Sequence, residues 1–365
     1  MSKTCSVYSP PEDKELSGRV IIPDTVTYNN VKYPVTAISS SAFRDCKKIT
    51  SISIPNSITK LGEYSFDSCS GLTSIEIPSS ITALTSNAFN NCTGLTEIKL
   101  PNTLTSIGTM TFADCTDLTS IDLPESLTII GEGSFSGSGL RSVKIPNSIT
   151  TINPGTFSYC ESLSSVELPN SVIDIRSGAF RYCSALTSIK IPDSVTYIGD
   201  RAFFYCSNLS DLLLGNSVDH IGVDAFSECP KLKSIKIPES LTSLSAWAWG
   251  PEIEEVEYLT QKPCSSVYDV FYGDVYEKAT LYILRGTKDI FMKTEPWMYF
   301  KNIKEKDASS IDCIISDDKS EIIDFNSPYS IYSINGISMG NDIKDLNTGI
   351  YIIQQGMKTQ KYIKL

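Results

Sequence analysis

One histidine, His220, serves a chain of 365 residues. That scarcity removes most histidine-based triads and every poly-histidine metal site. Basic residues are short as well: 31 Lys and Arg face 42 Asp and Glu, a net charge of −11. A nucleic-acid groove needs clustered cations and is excluded on that balance. No apolar run approaches the ~18–20 residues of a membrane span. The opening stretch, "MSKTCSVYSPPEDKELSG", lacks the apolar segment of a signal peptide. The chain is therefore expected either to stay inside the cell or to begin after such a segment. Also missing are G-x-S-x-G, H-E-x-x-H, a P-loop, an EF-hand loop and any C-x-x-C pair. No catalytic constellation, metal site or cofactor is expected.

What is present is a repeat. Pro55, Pro78, Pro101, Pro124, Pro146, Pro169, Pro192 and Pro238 follow a spacing of 23, with one step of 22 before Pro146 and Gly215 where another proline is due. Eleven residues after each stands Phe66, Phe89, Phe112, Phe135, Phe157, Phe180, Phe203, Phe226 or, last, Trp249. Pro23 and Phe43 begin the series around an insert, "VTYNNVKYPV", that reads as a hairpin closed at Asn29-Asn30. The unit is I-P-x-S-(V/I/L)-T-x-I-G-x-x-A-F-x-x-C-x-x-L-x-S-I-x. It is too short to bury its own apolar face, so consecutive coils must stack. "LTSIEI" reads as a strand with Leu72, Ile75 and Ile77 inward, "SITAL" as a second extended stretch with Ile81 and Leu84 inward, and A-F-x-x-C as a tight 3₁₀-like corner.

Stacking turns each repeat position into a column. Eight of the eleven cysteines form one, from Cys46 to Cys229. Zinc needs ligands at short spacing, so the column reads as buried thiols, with disulfides between coils as the alternative. Glu76, Lys99, Asp122, Lys144, Glu167 and Lys190, then Leu213 and Lys236, make an exposed strand column of alternating sign. It reads as a register-fixing ladder sooner than a binding floor. Beside it runs a serine column broken by Glu97 and Asp211. Tyr159, Tyr182 and Tyr205 form a third column, grouped with Tyr197, Arg181 and Phe204 as the candidate binding residues. Ring-on-ring stacking without a ligand is the plainer reading of that column. His220 shares a solvent-facing place with Lys60, Ser106 and Tyr197 and reads as a surface residue.

The pattern decays after Trp249, although "IEEVEY" keeps the strand frame. Residues 279–305 read as a last strand and a short helix bearing Phe291, Trp297 and Phe300, capping the open end. Residues 306–365 alternate apolar and polar side chains between turns at Asn335-Gly336, Thr348-Gly349 and Gln355-Gly356, a small antiparallel β module. The organisation expected is thus a solenoid of about ten repeats over 1–250, a degenerate cap over 251–305 and the β module.

The repeat unit resembles the BspA-like, or Treponema pallidum-type, leucine-rich repeat family of bacterial surface proteins over about residues 18–305. Departures are Gly215 and "GSFSGSGL" at 133–140, where a residue and the cysteine are missing. The resemblance implies a leucine-rich repeat solenoid with a non-enzymatic adhesion or binding role, at the cell surface or secreted. Its implied partners are host matrix proteins, other bacteria or glycans. The tail resembles the C-terminal β-domain of secreted Bacteroidetes proteins, which in several families is a type IX sorting tail. The matching residues are Ser333 to Gly336, Leu346, Gly349 to Ile352, Lys361 and Lys364, with Ile337 where arginine is usual. Two other readings stand beside adhesion. One is an intracellular or periplasmic scaffold. The other is a carbohydrate-active enzyme or accessory, which needs two carboxylates about 5–10 Å apart, such as Glu76 with Glu97. Nothing in the sequence sets an oligomeric state.

Overall fold

Proline, phenylalanine and isoleucine return at one phase because each return closes one coil. In a computed structural model these coils stack as a parallel-strand β-solenoid of about 12 turns. The structure describes residues 4–8, 16–266 and 269–307, and four backbone strands beyond residue 329. By contacts the chain forms two compact units, Met1–Ala308 and Ser309–Leu365.

A turn follows each proline, whose ring fixes φ and whose missing N–H needs no partner. Its carbonyl accepts from the residue three places on, as in Ile81 to Pro78 at 3.0 Å and Val195 to Pro192 at 3.1 Å. Gly215 keeps that turn through Val218 at 3.4 Å. In most coils the serine of I-P-x-S locks the turn to the coil before it: Ser171 donates to Ile149 and Ser194 to Val172, both at 2.7 Å.

Two strand faces flank the core. The first carries three-residue strands such as Ser74–Glu76, Glu97–Lys99, Ser142–Lys144 and Ser188–Lys190. The second carries two-residue strands, with Thr151–Ile152, Asp174–Ile175, Tyr197–Ile198, His220–Ile221 and Ser243–Leu244 paired in parallel. Leu72, Ile75, Ile77, Ile81 and Leu84 point inward as the periodicity requires. The first face is not continuous: residues 119–123 form no strand, and pairing also lapses between Ser165–Glu167 and Ser188–Lys190 and between Asp211–Leu213 and Ser234–Lys236.

The corner supplies a third ladder. Phe157, Phe180 and Phe203 each donate their N–H to an alanine carbonyl of the next coil at 2.8 Å. Their rings stack without interruption from Phe43 to Trp249, at centroid spacings between 4.9 and 5.6 Å. Behind them, from Cys69 onward, each cysteine thiol donates backwards to the phenylalanine carbonyl of the preceding coil. The distances are 3.2 Å for Cys183 to Phe157 and 3.2 Å for Cys206 to Phe180. None of the eight ladder cysteines is in a disulfide. In the short coil Ser138 takes the cysteine's place, buried and 3.3 Å from the Cys160 sulfur. Burial pushes Cys115, Cys160 and Cys229 up to about 12, and holds Cys92, Cys183 and Cys206 well above the ordinary thiol range.

At the N-terminal end, Thr25–Tyr28 pairs antiparallel with Val31–Ile38, and the turn residues Asn29 and Asn30 are left-handed at φ 49° and 61°. That is the hairpin the insert indicated. The C-terminal end differs from expectation. A helix, Gly273–Lys278, precedes the strand Thr280–Leu284. The short helix Lys288–Phe291 carries Phe291 only; Trp297 lies in a 3₁₀ turn and Phe300 just after it. All three are buried. A further parallel strand, Asn302–Lys306, then extends the sheet. In the second unit, Ser338–Gly340, Ser330–Ser333, Gly349–Gln355 and Lys358–Lys364 form an antiparallel sheet in that spatial order. Asn335, Gly336, Leu346, Thr348 and Gly356 lie outside the described residues.

Phe180→Ala removes one ring from the middle of the stack and should cost about 3–5 kcal/mol in urea unfolding. The thiols set a pH window. A thiol raised from its ordinary 9.0 contributes full stability below pH 9 and loses it as pH climbs towards 12. Unfolding midpoints should therefore fall above pH 9, and less so when Cys160, Cys183 and Cys206 are all alanine. Thiol reagents should find all eight ladder thiols once the chain is unfolded without reductant.

Candidate functional site

Each corner before the last has two backbone positions in the left-handed region, and the corner at Trp247 has one, with φ between 51° and 68°. The position two before the phenylalanine holds, coil by coil, Ser41, Tyr64, Asn87, Met110, Gly133, Gly155, Gly178, Arg201, Asp224 and Trp247. The position just before the cysteine holds Asp45, Ser68, Asn91, Asp114, Gly137, Tyr159, Tyr182, Tyr205 and Glu228. Small, turn-forming residues such as Asp, Asn and Gly suit that geometry, whereas bulky side chains meet their own backbone there. Five coils obey that preference in the second column and three consecutive coils replace it with tyrosine.

The three rings stack on one another. Tyr159 and Tyr182 lie 4.7 Å apart at 8°, and Tyr182 and Tyr205 lie 4.8 Å apart at 32°. Phe204 meets Tyr182 edge-on at 5.8 Å. The Arg181 guanidinium sits 5.0 Å from the Tyr182 ring, 5.5 Å from Phe204 and 5.8 Å from Tyr159, held by cation–π attraction. Its Nε is buried with no hydrogen-bond partner. Tyr159 and Tyr205 remain 45% and 43% exposed, so the column is open to a partner.

Tyr197 does not join them. It lies on the second strand face, in register with Asp174 and His220. Its ring stacks on His220 at 4.7 Å and 3°, with Arg176 at 5.9 Å. His220 in turn has its Nδ1 3.0 Å from the Ser243 hydroxyl. Grouping Tyr197 with the trio followed from closeness along the chain; its strand turns it to another face. His220 is a half-buried rung of this second stack.

Sequence reasoning missed a groove beside the trio. Gly133, Gly155 and Gly178 lie along it, with Ser136, Ser158, Tyr159 and Arg181 at its side and Met110 and Arg201 in its lining. Its signal was present as "GEGSF", "NPGTF" and "RSGAF", three successive glycines in a column otherwise filled by larger residues.

The charged strand column is partly a ladder. Glu76 lies in register with Lys99, and Lys144 with Glu167, whose charged atoms are 3.6 Å apart. Both members of the second pair are largely exposed, so it adds little stability. Asp122 belongs to no strand, and Lys190 faces Leu213. The series ends at Glu257, which Lys236 and Lys306 reach at 3.1 and 2.6 Å. Burial works against that carboxylate's charge, yet hydrogen bonds from both lysines outweigh it and hold Glu257 below its usual range. Glu76, Glu97, Lys99 and Arg19 also line an open trough with the serine column. Among the described residues no cluster of histidine, cysteine and carboxylates could hold a metal, and no helix is long and apolar enough to cross a membrane.

Several solved structures are similar to the chain. A leucine rich cell surface protein from Faecalibacterium prausnitzii A2-165 is 28% identical, covering 70% of this chain and 84% of its own, with a TM-score of 0.44. A leucine-rich repeat protein from Bacteroides ovatus is 24% identical over 82% of this chain and 97% of its own, with a TM-score of 0.49. The leucine rich repeat protein of T. pallidum is 29% identical over 46% and 77%, with a TM-score of 0.41. No curated protein matches the sequence. The family profile described as BspA type Leucine rich repeat region matches residues 36–164 and 128–252 in 6 copies. That profile covers more than half of the sequence, with the phenylalanine column inside it, and the chain belongs to the BspA-type leucine-rich repeat family.

Proposed function

We propose that the chain is a non-enzymatic binding protein, secreted or displayed at a cell surface, whose corner face at Tyr159, Tyr182, Tyr205 and Arg181 receives a protein or glycan partner. The observation that carries this reading is the left-handed backbone of three consecutive tyrosines, at φ 59°, 60° and 62°. Each such residue costs on the order of 1–3 kcal/mol. Stacking returns only about 0.5–1.5 kcal/mol per ring pair. Asp45, Asn91 and Asp114 build the same corner at a lower cost, because short Asn and Asp side chains tolerate the left-handed region. The fold does not ask for tyrosine here, whereas a partner needing exposed rings does.

The family's role in protein binding agrees with this reading, and host matrix proteins or other bacteria are the partners it suggests. The C-terminal β module fits a sorting tail, with Gly349, Tyr351, Lys361 and Lys364 as the residues that would be read. Tyr197 and the Glu76-to-Lys190 column serve structure in this account, through ring stacking and register.

Two measurements test the proposal. On an array of glycans and matrix proteins, the parent chain should retain at least one partner, and Tyr159→Asn/Tyr182→Asn/Tyr205→Asn should lose it at least tenfold. Asparagine is chosen because Asn91 occupies this column at φ 55°. Unchanged binding by the triple variant would place the site elsewhere. In urea unfolding the same variant should be no less stable than the parent, since the backbone strain relieved exceeds the stacking lost. A loss as large as that of Phe180→Ala would make the rings structural.

A further inference from the structure

The glycine groove and the tyrosine trio together define a ligand class, on the reading that this corner is the binding face. We propose that the groove binds an acidic glycan chain, with one pyranose ring stacked on the open face of Tyr159 and the carboxylate of a hexuronic acid unit held by Arg181.

The groove encloses about 530 Å³. Met110 and Arg201 stand four coils apart in one column with only glycine between them, a span of about 19 Å at the ordinary strand spacing. At Gly155 and Gly178 an added Cβ would sit in ordinary van der Waals contact with Ser158 and Arg181, at 3.4 and 3.8 Å, so any side chain there would narrow the groove.

The backbone at this corner is already committed. Gly133 donates to Pro154 at 3.0 Å, Gly155 to Ser177 at 2.9 Å, Gly178 to Asp200 at 2.9 Å and Tyr159 to Arg181 at 2.7 Å. An extended peptide recognised by main-chain pairing finds those donors occupied. Recognition falls to rings, hydroxyls and charge, which is sugar chemistry.

One face of the Tyr159 ring is covered by Tyr182. On the other side the column holds Gly137, which has no side chain to cover it. The electron-rich ring face suits the weakly positive C–H groups of a pyranose. Ser136 and Ser158 present paired hydroxyls 2.8 Å apart to sugar hydroxyls.

Arg181 sets the charge. Arg176 and Arg201 are paired with Asp174 and Asp224 at 2.6 and 3.2 Å. Arg181 is held by rings, and among the described residues it has no carboxylate partner; its Nε is buried, so its outer nitrogens are the ones a ligand would meet. A guanidinium of fixed plane is a two-pronged receptor for a carboxylate. Glu132 and Asp200 also line the groove and oppose a densely charged polyanion. The fit is to one carboxylate per ring, not to clustered sulfates.

The test titrates the full chain with a short oligogalacturonate and with its methyl ester, which keeps the rings and removes the charge. The acid should bind at least tenfold more tightly than the ester, and added salt should narrow the gap. Arg181→Gln should bring the acid down to the ester's affinity. Tyr159→Asn should abolish binding of both while keeping the parent's unfolding midpoint. Gly155→Asn, which copies the residue found at Asn87 in the same column, should do the same. Equal affinity for acid and ester, or full acid binding by Arg181→Gln, overturns the assignment. If neither oligosaccharide binds while an array partner still depends on the tyrosines, the acidic-glycan assignment fails and the binding face survives. If no partner depends on them, both fail.

Discussion

Phenylalanine must lie over phenylalanine, and the rest of the molecule follows from that constraint. Rings about 5 Å apart and N–H groups 2.8 Å from the next carbonyl leave no slack for a coil of arbitrary length. The one short coil shows how a missing residue is absorbed. Its cut falls after Ser138, and Gly139 lets the chain pass where a Cβ would come within 2.0 Å of the Thr116 carbonyl. The ring at Phe135 therefore keeps its phase. Deletion is tolerated away from the aromatic column, at a place where glycine permits a tighter path.

Much of this architecture was legible because a column is a consequence of period alone. From the spacing of 23 follow inward positions such as Ile81 and Leu84, the burial of the cysteines and the stacking of the tyrosines. The Asn29-Asn30 hairpin follows from turn chemistry. Period gives the neighbour along the axis but says less about the direction around the coil. Tyr197 and Tyr205 are eight residues apart in one coil and face different ways. The gap in strand pairing at 119–123 was equally hidden, since "LTSIDL" matches its neighbours letter for letter in pattern. The C-terminal end lacks the period, and there the helix Gly273–Lys278 and the closing strand Asn302–Lys306 escaped notice. The groove was hidden for another reason: it is made by side chains that are absent.

Burial divides the repeated polar groups into two kinds. Serines after the prolines and the cysteine thiols donate to carbonyls of the preceding coil, and so serve the stack. At the corner the backbone carries the ladder in every coil, and side-chain bonds such as Asn91 to Ser68 and Arg201 to Asp224 are local additions. Side chains can vary there while the backbone ladder stays intact, which gives a fold of nearly invariant interior a face that is free to specialise. The Arg181 cluster and the glycine run occupy the same few coils, while in the coils before them the position next to the cysteine carries the small polar residues Asp45, Ser68, Asn91 and Asp114.

Because a coil touches chiefly its two neighbours, the tyrosine column has a length that can be counted. Duplicating the segment that carries Tyr182 would add one rung of about 4.8 Å and disturb nothing beyond its junctions. Removing it would shorten the column by the same step. Reach along a partner thus becomes an integer set by unequal recombination between near-identical stretches of the gene, instead of a shape refined one substitution at a time.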